Sequence, residues 1–211
     1  MTTSQERTKA SRTLIYIPII HTPEDMGAFN QSITQATLVK VGRPGLQRKS
    51  RAIDAAWTKI EATVRALDLD YSKVRLYQDA LPVCGREADI VAAMAQAGSR
   101  NHQLLQELMD KGAILMGTES GELLREEYQL AQASLTGKPT TRASVLARRR
   151  AQGEDLLQRR DRFIAQRINE TLQPGETGIL YLGMLHAVEK HLAPDLKIVY
   201  PLHRPLMTKS P

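Results

Sequence analysis

Near the end of the chain, Gly178-Ile-Leu-Tyr-Leu-Gly-Met-Leu-His186 narrows the choice of fold more than any other stretch. The turn signal Pro174-Gly175 precedes it, and the run of isoleucine, leucine and tyrosine reads as a short buried strand. Gly183 predicts a sharp exit, where the backbone takes conformations closed to other residues. His186 is then expected in the first turn of a following helix. In an open parallel sheet this places the imidazole in the crevice beyond the carboxyl ends of the strands, where such sheets bind ligands. A helix N-terminus disfavours added positive charge, which biases the ring to its neutral form. Neutral imidazole is the form that ligates metals and acts as a general base. A histidine that only satisfies hydrogen bonds in a strand–helix turn fits the same stretch.

Four further runs have strand character: 13–20, 74–80, 113–117 and 196–200. Between them lie segments that read as helices, at 28–35, 47–67, 87–97, 102–111, 122–134, 142–151 and 154–172. Ile53, Trp57, Ile60, Val64 and Leu67 recur at helical spacing in the second of these. Pro18 is awkward inside a central strand because it removes a ladder donor, so a bulge or a strand end is expected there. Strands joined by helical connections of this length predict an α/β fold: a mainly parallel sheet of about five strands flanked by helices. Residues 1–211 are read as a single domain. Within it, 1–12 form an extended or disordered N-terminus, 86–152 a helical insertion or cap, and 201–211 an extended tail.

Hydrophobic content of 42% in 211 residues suffices for a core, and with only 4% aromatics the apolar residues are mostly aliphatic, as suits helices packed on a sheet. Cys84 is the sole cysteine, which excludes an intrachain disulfide and a cysteine-based zinc site. It reads as a buried or incidental thiol. No apolar segment precedes Leu14, and the run 14–20 is too short to span a membrane, so a cytoplasmic protein without membrane association is expected. The net charge is +6, and Arg142 to Arg167 contain eight arginines against Glu154, Asp155 and Asp161. That run suits phosphates, but a solvated helix face is the simpler reading. Gly137-Lys-Pro-Thr140 is no phosphate loop, because Gln132 stands where its first glycine is needed.

His21 repeats the logic of His186, following an apolar strand and carrying Glu24 and Asp25 close behind it. Asp79 ends the second strand and Glu119 follows the third. In a parallel sheet these carboxyl ends share one edge, so His21, Asp25, Asp79, Glu119 and His186 are expected to converge. Such a set suits zinc, manganese or iron, with His21, Asp25, Glu119 and His186 as ligands. It equally suits a water held for general-base attack. Asp79 and Glu119 taken singly also fit as turn formers. His102, His191 and His203 read as surface or locally hydrogen-bonded residues.

The segment Arg160-Asp-Arg-Phe-Ile-Ala-Gln-Arg-Ile-Asn-Glu-Thr-Leu172, the glycine turn, the apolar strand and Gly183-Met-Leu-His186 together resemble the C-terminal signature of the TraB/Tiki superfamily, which includes haem-uptake and erythromycin-esterase-like members. The resemblance covers about 35 residues. It implies an α/β domain with a Gly-x-x-His near each end, an acidic residue after an early strand, and Arg160 or Arg162 reaching from its helix toward the site. It also implies metal binding and peptidase-type activity. Pro18-Ile-Ile-His21 departs from the pattern by a proline where the family has glycine, and Asp79 stands where the family tends to have glutamate.

Three functions follow as expectations. The first is a hydrolase-like protein acting on a small molecule or peptide, with His21, His186, Asp79 and Arg160 as its catalytic groups, metal-assisted or not. The second is a non-catalytic small-ligand or haem-binding module with His21 or His186 as axial ligand. The third is nucleic-acid or partner binding through the Arg142–Arg167 face. Self-association into a homo-oligomer is compatible with each.

Overall fold

The computed structural model describes residues 11–22, 24–25, 30–136 and 142–202. The expectations for the chain before residue 11, for the turn at 137–139 and for the tail from His203 fall outside these residues. The elements run β1 (Arg12–Ile19), α1 (Asn30–Arg65), β2 (Val74–Gln78), α2 (Glu87–Gln96), α3 (Arg100–Asp110), β3 (Ile114–Met116), α4 (Gly121–Thr136), α5 (Ala143–Thr171), β4 (Thr177–Gly183) and β5 (Leu196–Val199). All strand pairs are parallel, in the order β3-β2-β4-β1-β5. The expected α/β architecture is therefore present. No helix among the described residues is long and apolar enough to cross a membrane.

Alternation along the strands divides the core into two layers. Ile15, Ile17, Ile19, Leu76, Ile179 and Tyr181 face α1 to α3, around Trp57, Val64, Leu104 and Leu108. Leu14, Tyr16, Tyr77, Leu180 and Leu182 face α5, around Ile164, Ala165 and Ile168. Trp57 also pins α1 to the end of β1, its indole N–H donating to the Ile20 carbonyl at 3.0 Å. Pro18 is tolerated because β5 accompanies β1 only as far as Ile15, leaving β4 as the one neighbour at that point.

One local expectation holds and two change. The segments read as separate helices at 28–35 and 47–67 are two helices that meet within α1 at a kink, where Gly42 has non-helical backbone (φ 68°, ψ 174°) with Pro44 just beyond. The two read at 142–151 and 154–172 are the continuous α5; a side chain at Gly153 would meet open space, so that glycine costs helix propensity without breaking the helix. No α-helix follows β4. The chain turns at 184–186 and enters a four-residue 3₁₀ helix, Val188–His191, so His186 has no helix macrodipole beside it.

Candidate functional site

The connection after β1 crosses the α1 face, whereas the chain after β4 packs Val188 against α5 on the other face. Neighbouring strands that leave in opposite directions open a crevice at their carboxyl ends. His21, Asp79 and Gly183 stand there. The buried carboxylate of Asp79 is the hub: Oδ2 accepts the Gly183 backbone N–H at 2.9 Å and lies 3.2 Å from His21 Nε2. Its Oδ1 accepts from Arg160 Nη2 at 2.9 Å and lies 3.7 Å from His186 Nε2. A Cβ on residue 183 would come within 3.0 Å of Asp79 Oδ2 and 3.7 Å of both imidazoles. Close approach, then, requires glycine here; Gly183 is not among the positive-φ glycines, contrary to the conformational role expected for it.

His186 is buried, and its Nδ1 lies 2.6 Å from Asp161 Oδ1. The second Asp161 oxygen accepts the Ala187 backbone N–H at 2.9 Å, so one carboxylate fixes both the ring and the turn that carries it. Asp161 escaped the sequence reading. Its signal was an acid at helical spacing with buried Ile164, Ala165 and Ile168, where an unpaired charge would be costly.

Arg160, and not the exposed Arg162, enters the site. Its guanidinium grips Glu119 in a bidentate pair at 2.7 and 2.6 Å, reaches Asp79, and holds Glu127 with its remaining nitrogen. Glu119 Oε1 also accepts the Ala80 N–H at 2.8 Å, bracing a turn in which Ala80 adopts φ 61°. Burial and the neighbouring Asp79 charge raise the Glu119 pKa despite Arg160. Burial acts the same way on Asp79, but His21, His186 and Arg160 outweigh it and hold that carboxyl far below its usual range. The two acids are thus driven apart, one stabilised as the anion and the other toward its neutral form.

The His21 side chain is 37% exposed, the accessible imidazole of the pair. Burial lowers its pKa, yet the hydrogen bond and charge of Asp79, with Asp25 behind, raise it above 6.5 overall. His21 also lines a cavity of about 440 Å³, with Thr34, Ser50, Ile53 and Asp54 of α1 and Gly98 among the other walls. This volume lies within the range of small-ligand pockets.

The structure therefore brings His21, Asp79, His186, Arg160 and Glu119 together at one edge. Asp25 turns away: its carboxylate accepts from Thr22 N–H at 2.7 Å and from the buried Ser99 hydroxyl at 2.5 Å. Glu24 is exposed on the cavity wall. His102, read as a surface or locally bonded residue, is buried against Ser99, while Cys84 is exposed. Among the described residues no group of three His, Cys, Asp or Glu side chains is arranged to hold a metal ion. Asp25 is spent on the loop, and both Glu119 oxygens are taken by a cation, so the four residues expected as ligands do not form one donor set. No family model, curated protein or solved structure matches the chain.

Proposed function

We propose that this edge is a general acid–base site that hydrolyses a small molecule or peptide bound in the adjoining cavity, with His21 as the base. The reading rests on one observation: the exposed imidazole that lines the cavity has its Nε2 held by a buried, ionised carboxylate. With Nε2 committed to Asp79, Nδ1 is the nitrogen left to take a proton from an attacking water. Asp79 orients the ring and stabilises the imidazolium that forms, as carboxylates paired with catalytic histidines do. Arg160 and the Gly183 N–H keep Asp79 ionised. His186, locked by Asp161, closes the far side of the same carboxylate. The TraB/Tiki-like pattern is part of this proposal, through Gly183-x-x-His186 and the arginine of the preceding helix. No step is routed through a metal, because the donor set does not fit one.

A panel of chromogenic esters and amides tests the reading. His21→Ala and Asp79→Asn are each expected to lower kcat by 10²- to 10⁴-fold, the usual contribution of a positioned base. For the parent protein kcat/KM should climb as pH rises through the raised His21 pKa, since the base works as the neutral ring. Stoichiometric zinc, manganese or iron in protein purified without chelator, with activity lost on chelation, would replace the dyad by a metal centre. A Soret band on adding haem would replace hydrolysis by haem binding.

A further inference from the structure

Two helical arms rise beyond the sheet edge that carries the site, one from each face. Trp57 of α1 is bonded at the level of Ile20, so the helix from there back to its break at Gly42 climbs about 22 Å at 1.5 Å per residue. Arg160 of α5 is bonded at the level of Asp79, so the stretch back to Ala143 climbs about 25 Å. Beyond Ile53 and the buried Leu156, neither climb is needed to bury the sheet. Residues 143–155 of α5 are exposed apart from half-buried Val145, and in α1 from Lys40 to Arg51 only Gly45 is buried.

The charge on these arms is segregated, with the acids Asp54, Glu154 and Asp155 confined to the part of each arm nearest the sheet. Residues 30–53 contain Lys40, Arg43, Arg48, Lys49 and Arg51 and not one acid. Residues 142–153 contain Arg142, Arg148, Arg149 and Arg150, again without an acid. All nine side chains are exposed. Some cations elsewhere are paired, Arg65 and Arg100 with Glu61, Arg75 with Glu176 and Arg159 with Glu126, while Lys59, Arg125, Arg162, Lys190 and Lys197 are scattered singly over the surface. On the arms Arg150 has Glu154, whereas Lys40, Arg43, Arg48, Lys49, Arg51, Arg148 and Arg149 have no carboxylate partner among the described residues. A chain with 23 acidic residues places none in either stretch, and Lys49 lines the cavity beside His21, so each arm carries a positive surface beyond the edge that holds the site.

We infer that the two arms clasp duplex DNA across the carboxyl edge of the sheet. Polyanion binding follows from the unpaired cations, which release counterions when they meet phosphates. A duplex follows from the absence of any aromatic residue in 30–53 or 142–153, which removes the stacking platform single strands require. DNA follows from the helical form of the arms, because the B-form major groove admits an α-helix and the A-form groove of RNA does not. This surface extends beyond the Arg142–Arg167 face by adding the α1 arm, and it does not depend on hydrolysis by His21.

Fluorescence anisotropy of the full chain with a labelled duplex of about 20 base pairs tests it. Micromolar binding at 50 mM salt is expected, weakening by at least a hundredfold at 200 mM. The triple variants R43E/R48E/R51E and R148E/R149E/R150E should each weaken binding at least tenfold and shallow the salt slope by about 2 to 3. Their circular dichroism should be unchanged, since every altered side chain is exposed. Lys73→Glu, remote from the arms, should bind as the parent does, and Asp79→Asn should bind DNA normally even when turnover is lost. The inference is overturned by no binding at 50 mM salt, by loss confined to one arm, or by an equal loss in Lys73→Glu. Duplex RNA or anionic vesicles binding as tightly as DNA would overturn it as well.

Discussion

The hydroxyl of Ser99 has one proton and two side-chain partners, Asp25 Oδ1 at 2.5 Å and His102 Nδ1 at 2.7 Å. A carboxylate only accepts, so the proton goes to Asp25 and His102 must donate its Nδ1–H to the Ser99 oxygen. Serine, histidine and aspartate meet here without making a nucleophile, because the hydroxyl is fully buried and faces the acid instead of being deprotonated by the imidazole. Its work is structural: it caps α3 and ties the His21 loop to that helix. Ser99→Ala is expected to cost about 2–3 kcal/mol, from a lost cap and a buried carboxylate left short of a donor, read as a lower urea midpoint. The Asp25 pKa supplies the pH dependence. Burial pushes it up, but the His102, Ser99 and Thr22 hydrogen bonds bring it down to about 2. A depressed acid stabilises the fold above its unfolded pKa and loses that contribution as pH falls through the folded one. About 2 kcal/mol should therefore disappear between pH 4 and pH 2, and the loss should be absent in Asp25→Asn. None of this was legible in the sequence. Asp25 had the right composition for a ligand, and only the fold reveals that α3 offers it a serine.

Strand identity was legible because β1 and β4 are apolar on both faces, as strands covered by helices on both sides must be. The ends of the helices were less so: Gly153 resembles a terminus in composition, yet the helix passes through it. Helix content after β4 was misread for a related reason, since Ala187-Val-Glu has helical propensity but the turn is set by Asp161 on another element. The crevice itself followed from topology, as parallel strands bring their ends to one edge whatever their side chains. Arg160 was legible only as one of two arginines, because which of them turns inward depends on the register of α5 against β2 and β3. Gly183 is where strand and site meet. Gly183→Ala would drive a methyl to 3.0 Å from Asp79 Oδ2 with both imidazoles close by. The carboxylate would leave the backbone N–H, costing about 1–3 kcal/mol of stability, with loss of the proposed activity. A variant with parental melting and turnover would show that the hub tolerates displacement.

Arg160 joins β2, β3, α4 and α5 by carrying Asp79, Glu119 and Glu127 on a single guanidinium. Removing one partner of a buried ion pair leaves an uncompensated charge, which typically costs 3–5 kcal/mol. Arg160→Met keeps much of the side-chain volume and isolates that effect. The size of the loss should depend on pH, and its sign follows from linkage. In the parent Asp79 is depressed, so its contribution is complete above its unfolded pKa and is lost only as pH falls through its folded value. Glu119 is raised even with the arginine present. Without the cation its anion meets burial and the Asp79 charge unopposed, and its folded pKa must climb further. A group raised on folding stabilises below its unfolded pKa and loses that stability as pH climbs through the folded value. The variant should therefore lie closest to the parent near pH 4.5 and fall away to the full 3–5 kcal/mol by pH 8. Urea unfolding of both proteins at several pH values between these limits measures the difference. A deficit that stayed constant across that range would mean that Arg160 acts through packing, and that Glu119 does not take up the proton its surroundings favour.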